Sequence, residues 1–364
     1  MPSIEAFNDF VLSTGPKVLK GPDQLLNDAT KNTYMLGRML KGGQAALSLQ
    51  SGQKVIERVQ LSDSGTFQFY DPNSDLDIQN VDVLRSIEAP WRFATDHYSY
   101  TEQEVTLNSG DPQTYYKNLL KSKRQACATS MYNGMEESLW AQPSNSKMES
   151  TATKDGVPYS IPALVTKDGL APSGFTTIVG LDPDNETGWR NQTQTYDAAA
   201  KADPADGIVD ALRRMYHKVH FVAPMGGMRE YFENDRMQKM CICTNLDGQT
   251  LIERLTQDAN DRLTPAADIG WASGKVIFNG IPIDYIAELD TALVDGGAAI
   301  PDGKPWYYFL NLEYLHPIFH TSQYMVEKSP MNHPRQPFSF VVWKSTYYQL
   351  MPTSRRRQGL VYAA

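Results

Sequence analysis

The chain has 364 residues, 41% of them hydrophobic and 21% charged, with a net charge of −8 and a pI near 5.3. An acidic balance of this size excludes a protein whose whole surface is built for nucleic acid, while leaving room for a local basic patch. Three cysteines exclude a disulfide framework, and no run approaches the ~18 apolar residues that a membrane-spanning helix needs.

A chain of this length is expected to hold two or three domains with a sizeable core. The opening stretch MPSIEAFNDF has neither a basic n-region nor an apolar h-region, so no signal peptide is expected. Sparse cysteines fit a reducing compartment, where the Asn-X-Thr triplets at Asn185 and Asn191 carry no glycosylation meaning. Residues 1–42 hold two short amphipathic pieces, Ile4–Leu12 and Tyr34–Leu40, and read as an extended arm that ends at Gly42-Gly43.

From Ala45 to Leu107 the pattern turns to strands. Val55, Val59 and Leu61 share one parity with Glu57, a Ser62-Asp63-Ser64-Gly65 turn follows, and Phe67 and Phe69 alternate with Thr66, Gln68 and Tyr70. This predicts a hairpin. Both of its faces carry polar residues, and an isolated two-stranded ribbon is marginal in water, so it must lie on another surface. A surface of the same chain would make it a flap; a surface of another copy would make it an assembly device. Tyr98–Leu107 reads as a further alternating strand.

The longest helix the sequence predicts runs from Asp111 to about Trp140. Asp111 suits the N-cap and Pro112 the first helical position, and no further proline occurs before Pro143. Tyr116, Leu119, Leu120, Lys123, Cys127, Ser130, Met131, Met135 and Leu139 recur at helical spacing and mark one mostly apolar stripe. Lys117, Lys121, Lys123 and Arg124 stand in the first half and Glu136 and Glu137 near the end, which opposes the helix dipole. A solvated face accounts for this order, and so does a face turned to something outside the subunit.

Beyond Pro143, residues 144–174 read as loop, Thr176–Leu181 as a buried strand, Asp206–His217 as a helix, Lys239–Thr244 as a strand and Gln249–Arg262 as a helix. Lys275–Phe278, Ile281–Ile286, Trp306–Asn311, Phe338–Trp343 and Tyr347–Met351 complete the strands. Helices and strands alternate irregularly, which is an α+β pattern.

Signatures of catalysis are absent: the chain has no P-loop, nucleophile elbow, zinc-protease or dinucleotide motif. No catalytic residue, cofactor or metal is therefore assigned. The pairs His217/His220, His316/His320 and Cys241/Cys243 each make at most half of a metal site. Met225-Gly226-Gly227-Met228 is a turn lacking the rest of a phosphate fingerprint, and Arg355-Arg356-Arg357 is the densest basic run.

In this order the elements resemble the major capsid proteins of tailed bacteriophages, which share the Hong Kong 97 fold. The landmarks are the extension at 45–73, the helix introduced by Leu107-Asn108-Ser109-Gly110-Asp111-Pro112, and Val179-Gly180-Leu181-Asp182 with Trp189-Arg190-Asn191 after it. Cys243-Thr244-Asn245, Phe278-Asn279-Gly280-Ile281-Pro282-Ile283 with Leu289-Asp290, Tyr347-Tyr348-Gln349-Leu350 and Arg356-Arg357-Gln358-Gly359 follow. The resemblance implies an N-terminal arm (1–42), an extended two-stranded E-loop with connecting strands (43–110), a peripheral domain with its spine helix (111–205), an axial domain (206–300) and C-terminal strands returning to the peripheral domain (301–364).

It further implies a structural protein, not an enzyme, that self-assembles as pentamers and hexamers into an icosahedral shell around double-stranded DNA. The virion capsid, built in the bacterial host cytoplasm and without membrane contact, would be its location. Implied partners are copies of itself, a separate scaffolding protein, a portal and a decoration protein. Lys54, Arg58, Phe67 and Phe69 become candidates for the intersubunit E-loop, and Lys117, Lys121, Lys123, Arg124, Arg355, Arg356 and Arg357 for weak inner-surface contact with DNA. Some relatives crosslink a ribbon lysine to a neighbour; Lys54 stands in a polar strand, and the sequence identifies no acceptor for it. An encapsulin-like compartment, a tail or decoration component, and a cytosolic enzyme with an unrecognised site are the alternatives.

Overall fold

A computed structural model describes residues 34–41, 47–49, 52–62, 65–69, 82–107, 112–151, 155–199, 207–219, 240–261, 269–272, 275–295, 297–333 and 335–364. Residues 34–219 supply α1 (Tyr34–Lys41), β1 (Leu47–Leu49), β2 (Lys54–Gln60), β3 (Leu84–Pro90), β4 (Arg92–Thr101), α2 (Glu102–Leu107), α3 (Pro112–Trp140), β5 (Gln192–Tyr196) and α4 (Ile208–Val219). Next come β6 (Met240–Thr244), α5 (Leu246–Asp261), β7 (Ile269–Ala272), β8 (Lys275–Phe278), β9 (Ile281–Tyr285), β10 (Leu293–Asp295) and β11 (Ala298–Ala299). The chain closes with β12 (Tyr307–Asn311), β13 (Leu315–His320), β14 (Val326–Glu327), β15 (Met331–His333), β16 (Gln336–Pro352) and β17 (Gly359–Ala363). The expected Ile4–Leu12 piece, the Asp111 cap, the side chains of Tyr116 and Leu119, His220 and the Met225–Met228 turn lie outside the described residues.

Among the described residues two large sheets carry the α+β architecture. The six-stranded sheet is built on β16, which pairs antiparallel with β4, β13, β14 and β15, while β1 adds in parallel to β13. The seven-stranded sheet runs β5-β17-β12-β6-β9-β8-β7. Its β8–β9 hairpin turns on Asn279-Gly280, both at positive φ (46° and 79°), the conformation that Asn-Gly adopts most readily.

Helix α3 spans 29 residues, about 44 Å at 1.5 Å per residue. Its expected stripe is buried at Leu120, Cys127, Met131, Met135 and Leu139, whereas Ser130 is exposed. Cys127 and Leu120 pack with Tyr98, Tyr100, Phe340 and Val342 of β4 and β16, and Met131, Met135, Leu139 and Trp140 enter the central core. A second core forms where Ile208, Leu212 and Met215 of α4 meet Ile242, Phe278 and Phe309. Met215 fills the space that a side chain at Gly359 would need, so β17 can pass close to α4.

Several expectations are corrected. Strand β2 pairs with β3, from Lys54↔Pro90 to Gln60↔Leu84, and not with the residues around Phe67. The reason is burial: this register brings Val55, Val59, Ile87 and Ala89 to one inward face. The strand expected at Tyr98–Leu107 stops at Thr101, because Thr101 and Glu104 form a capping box that starts α2. Glu104 N donates to Thr101 Oγ1 and Thr101 N to Glu104 Oε2, each at 3.2 Å.

Thr176–Leu181 is not a strand but a tight turn, with Val179 at φ 54° and Gly180 at φ 82° between the bridged residues Ile178 and Leu181. Helix α5 begins at Leu246 instead of Gln249, since Asn245 Oδ1 accepts from Gly248 N (3.1 Å) and caps it. The two strands expected at Phe338–Trp343 and Tyr347–Met351 are one, because Lys344, Ser345 and Thr346 are buried in mid-strand.

Candidate assembly surface

The β2–β3 ribbon is fastened along its paired length. Glu88 N donates to Val179 O (3.0 Å), Trp91 Nε1 to Gly52 O (3.1 Å), and Arg85 Nε to Glu186 Oε1 (2.6 Å). Val179 is a β-branched residue in left-handed backbone, a strained state that needs surrounding contacts to hold it. Those contacts are visible: its N–H donates to Tyr159 Oη (3.2 Å) and its side chain is wholly buried. Gly180 beside it leaves room for β3, since a Cβ there would stand 3.1 Å from Glu88 Cγ. Glu57, on the inward face opposite Ile87, has its carboxyl pushed up by desolvation.

The outer face of the ribbon carries Lys54, Ile56, Arg58, Leu84 and Glu88, all exposed, and Lys54 Nζ pairs with Glu88 Oε1 at 2.8 Å. An exposed pair of this kind stabilises little. Farther along, Phe67 and Phe69 are 83% and 93% exposed, with ring centroids 5.2 Å apart in an edge-to-face arrangement. The structure thus brings Lys54 and Arg58 onto one face and sets the two phenylalanines beyond it as an uncovered aromatic pair.

The basic candidates do not form one surface. Arg124 is buried and holds Glu327 with both arms, Nε to Oε1 at 3.0 Å and Nη2 to Oε2 at 2.9 Å. Lys344, also buried, reaches the same Glu327 Oε1 at 3.3 Å. Arg355 is fully buried and donates to the carbonyls of Leu164 (2.7 Å), Trp189 (3.1 Å) and Leu170 (3.3 Å) and to Asn191 Oδ1 (3.1 Å). Burial lowers its pKa to about 9, opposed by the negative charge of Asp168. Arg357 is buried with its guanidinium 4.3 Å from the centre of the Tyr314 ring.

Arg124, Arg355 and Arg357 therefore sit inside the subunit, a correction to their expected surface role. The physical reason is that a buried guanidinium is tolerated where its donors are met, and the carboxylate of Glu327 and the carbonyls around Arg355 meet them. Lys123 Nζ bonds Ser99 O and Glu104 Oε2, both at 2.9 Å. Lys121 is half-buried and Arg356 exposed, while the Lys117 side chain lies outside the described residues.

The odd charge order of α3 also has an internal cause. Glu136 is fully buried, and its carboxylate accepts from Met35 N (3.2 Å), Leu36 N (2.7 Å) and Trp140 Nε1 (3.2 Å). It caps the N-terminus of α1, whose residues Met35, Leu36 and Met39 are buried in the core. Burial pushes the Glu136 carboxyl up, opposed by these three hydrogen bonds. From the same helix Arg38 reaches Asp284 Oδ2 (2.7 Å) and Met240 O (3.0 Å) in the seven-stranded sheet.

Among the described residues no group of three or more His, Cys, Asp or Glu side chains is placed to hold a metal. Cys241 and Cys243 are fully buried with sulfurs 3.9 Å apart, His316 is buried, and His320 Nδ1 accepts from Ser322 N (3.3 Å). The Trp189–Asn191 and Arg356–Gly359 landmarks lie side by side: Arg355 donates to Asn191 Oδ1, Gln192 N donates to Gln358 O (2.9 Å), and Gln358 exchanges two hydrogen bonds with the Asn311 backbone (2.8 and 3.0 Å).

No family model and no curated protein sequence matches the chain. Solved structures do. The chain is similar to the subunit in the cyanophage A-1(L) capsid asymmetric unit, with a TM-score of 0.58 at 12% identity over 94% of this chain and 95% of that one. The chain has the fold of a phage capsid protein. The capsid of the empty GTA particle gives a TM-score of 0.54 at 10% identity over 95% of this chain and 96% of that one. For the mature capsid of bacteriophage PhiM1 the values are 0.51 and 12% over 94% and 90%. The capsid fold therefore takes in nearly the whole length of the chain. Among the described residues no helix is long and apolar enough to cross a membrane.

Proposed function

We propose that this chain is the major capsid protein of a tailed bacteriophage, a structural subunit that assembles as pentamers and hexamers into an icosahedral shell around double-stranded DNA. The observation that carries this reading is the extent of the capsid likeness, 94% of this chain against 95% of the cyanophage subunit. The Hong Kong 97 plan supplies the parts: an N-terminal arm over 1–42, the β2–β3 ribbon as E-loop, α3 as spine of a peripheral domain, and an axial domain over 206–300.

Interface free energy does the work in such a protein. Unlike patches meeting head to tail repeat around a closed ring, and many weak contacts per subunit make loss of any one copy rare. The ribbon suits this role, because its paired strands are held by Val179 and Glu186 while Phe67 and Phe69 beyond them are uncovered. With Arg124, Arg355 and Arg357 occupied inside the subunit, Lys121, Lys123 and Arg356 are the remaining described candidates for weak contact with packaged DNA. Scaffold, portal and decoration proteins are the further partners of this reading. Sedimentation tests it: the purified chain should pass from subunits or capsomers to particles of megadalton size as concentration rises. A single species of about 41 kDa across that range would sink it.

A further inference from the structure

Strand β6 reads Met240-Cys241-Ile242-Cys243-Thr244, and its alternation puts the two cysteines on one face and Met240 and Ile242 on the other. The faces enter different cores: Met240 and Ile242 join the core under α4, while Cys241 and Cys243 join the central core that also takes in α1 and α3. Both thiols are fully buried with sulfurs 3.9 Å apart; Cys243 Sγ donates to Cys241 Sγ, and Cys241 Sγ to Leu310 O at 3.8 Å. Across the sheet Cys241 is opposed by Leu310, and Cys243 by Tyr308 on one side and Asp284 on the other. Asp284 is committed to Arg38, at 2.7 Å.

Cysteines two apart on a strand have Cα atoms about 6.7 Å apart, the far limit for a disulfide, so the strand favours the dithiol. Two sulfurs are half of a tetrahedral zinc site but the whole of a site for an ion content with two ligands. Soft thiolate ligands select Cu(I) among the first-row metals. With a metal–sulfur bond of about 2.3 Å, two bonded sulfurs stand up to about 4.6 Å apart, so a separation of 3.9 Å admits an ion between them.

We infer that Cys241 and Cys243 form a two-coordinate site for a soft monovalent cation of the Cu(I) class, a site independent of the capsid reading. The hydrogen bond to Cys241 and burial push the Cys243 thiol well up, so binding expels both thiol protons to solvent. Two thiolates and one monovalent cation leave a single negative charge, and the Arg38 guanidinium acts favourably on a Cys243 thiolate. Entry runs past α1, whose eight residues are too few to persist as a helix once undocked.

The reduced full chain, kept free of oxygen, is titrated into Cu(I) held by bathocuproine disulfonate, whose colour fades as the ion is withdrawn. One equivalent should leave the chelator per chain. The double change Cys241→Ala and Cys243→Ala should abolish the withdrawal, and Cys127→Ala, in a separate core, should leave it unchanged. X-ray absorption of the loaded parent chain, which needs no variant, should show two sulfur neighbours and no nitrogen or oxygen. Ag(I), a redox-inert ion of the same preference, should raise the melting temperature by about 3 °C at about a hundredfold excess over its Kd, because the folded state holds the pair in place. No withdrawal by the parent chain, undiminished withdrawal by the double alanine variant, three or more ligands around the metal, or a lowered melting temperature would each overturn the site.

Discussion

Glu136 offers a sharp test of how the N-terminal helix is attached. Glu136→Ala removes the acceptor for three donors, Met35 N, Leu36 N and Trp140 Nε1, at a site with no solvent exposure. A buried donor left unsatisfied costs about 1–3 kcal/mol, and the loss is partly offset because a desolvated carboxylate is no longer buried. The net expectation is a destabilisation of about 2–4 kcal/mol, with Glu136→Gln losing about half as much because its amide oxygen still accepts. Burial raises the Glu136 pKa in the folded state. The folded chain therefore binds this proton more tightly than the unfolded chain, so the contribution is fully present below the ordinary glutamate value and declines as pH rises through the raised one. Glu136→Gln should flatten that slope. Urea denaturation of the unassembled subunit, followed across pH, reads the midpoint, and hydrogen exchange over Tyr34–Lys41 reads the helix itself. An unchanged midpoint in Glu136→Ala together with unchanged protection of α1 would refute the cap.

Three further perturbations follow from the geometry. Arg355→Met leaves the carbonyls of Leu164, Trp189 and Leu170 without their donor and should cost about 3 kcal/mol by denaturant midpoint, at ~1–3 kcal/mol for each unmet buried group; an unchanged midpoint would contradict its structural role. Gly180→Val places a β-branched side chain at φ 82° and against Glu88, so it should lose about 2 kcal/mol and speed hydrogen exchange in β3, and wild-type protection of Leu84–Pro90 would count against the clamp. Because Gln60 and Leu84 stand opposite each other, replacing residues 61–83 with Asn-Gly should close β2 onto β3 as a two-residue hairpin; the subunit should melt within a few degrees of the parent yet fail to form shells, and normal shells would show that the excursion is not a tie between copies.

What the sequence disclosed was mostly local. Helix α3 was legible at both ends, because Pro112 suits only the first turn and the buried Cys127, Met131, Met135 and Leu139 repeat at helical spacing. The partner of β2 was not, since a nearby Ser-Asp-Ser-Gly turn satisfied the local hairpin template while the true register joins residues separated by the whole 61–83 excursion. The capping box was within reach: Thr101-x-x-Glu104 is written in the sequence and was overridden by the alternation before it.

Buried charge was the least legible feature. Arg355, Arg124, Lys344 and Glu136 look like surface residues by type, and only their tertiary surroundings supply the carbonyls, carboxylate and helix N–H groups that let them go inside. The run Arg355-Arg356-Arg357 shows the limit plainly. One side chain is a core staple, one is exposed and one lies over a tyrosine ring, a division set by the turn between β16 and β17 and invisible in three identical letters.

Electron microscopy of the purified, concentrated chain tests the central claim most directly. The account predicts closed icosahedral shells whose subunit density follows the two sheets and α3, with the ribbon of each copy lying on its neighbour. Particles that remain monomeric at high concentration, with ribbons free in solvent, would contradict it.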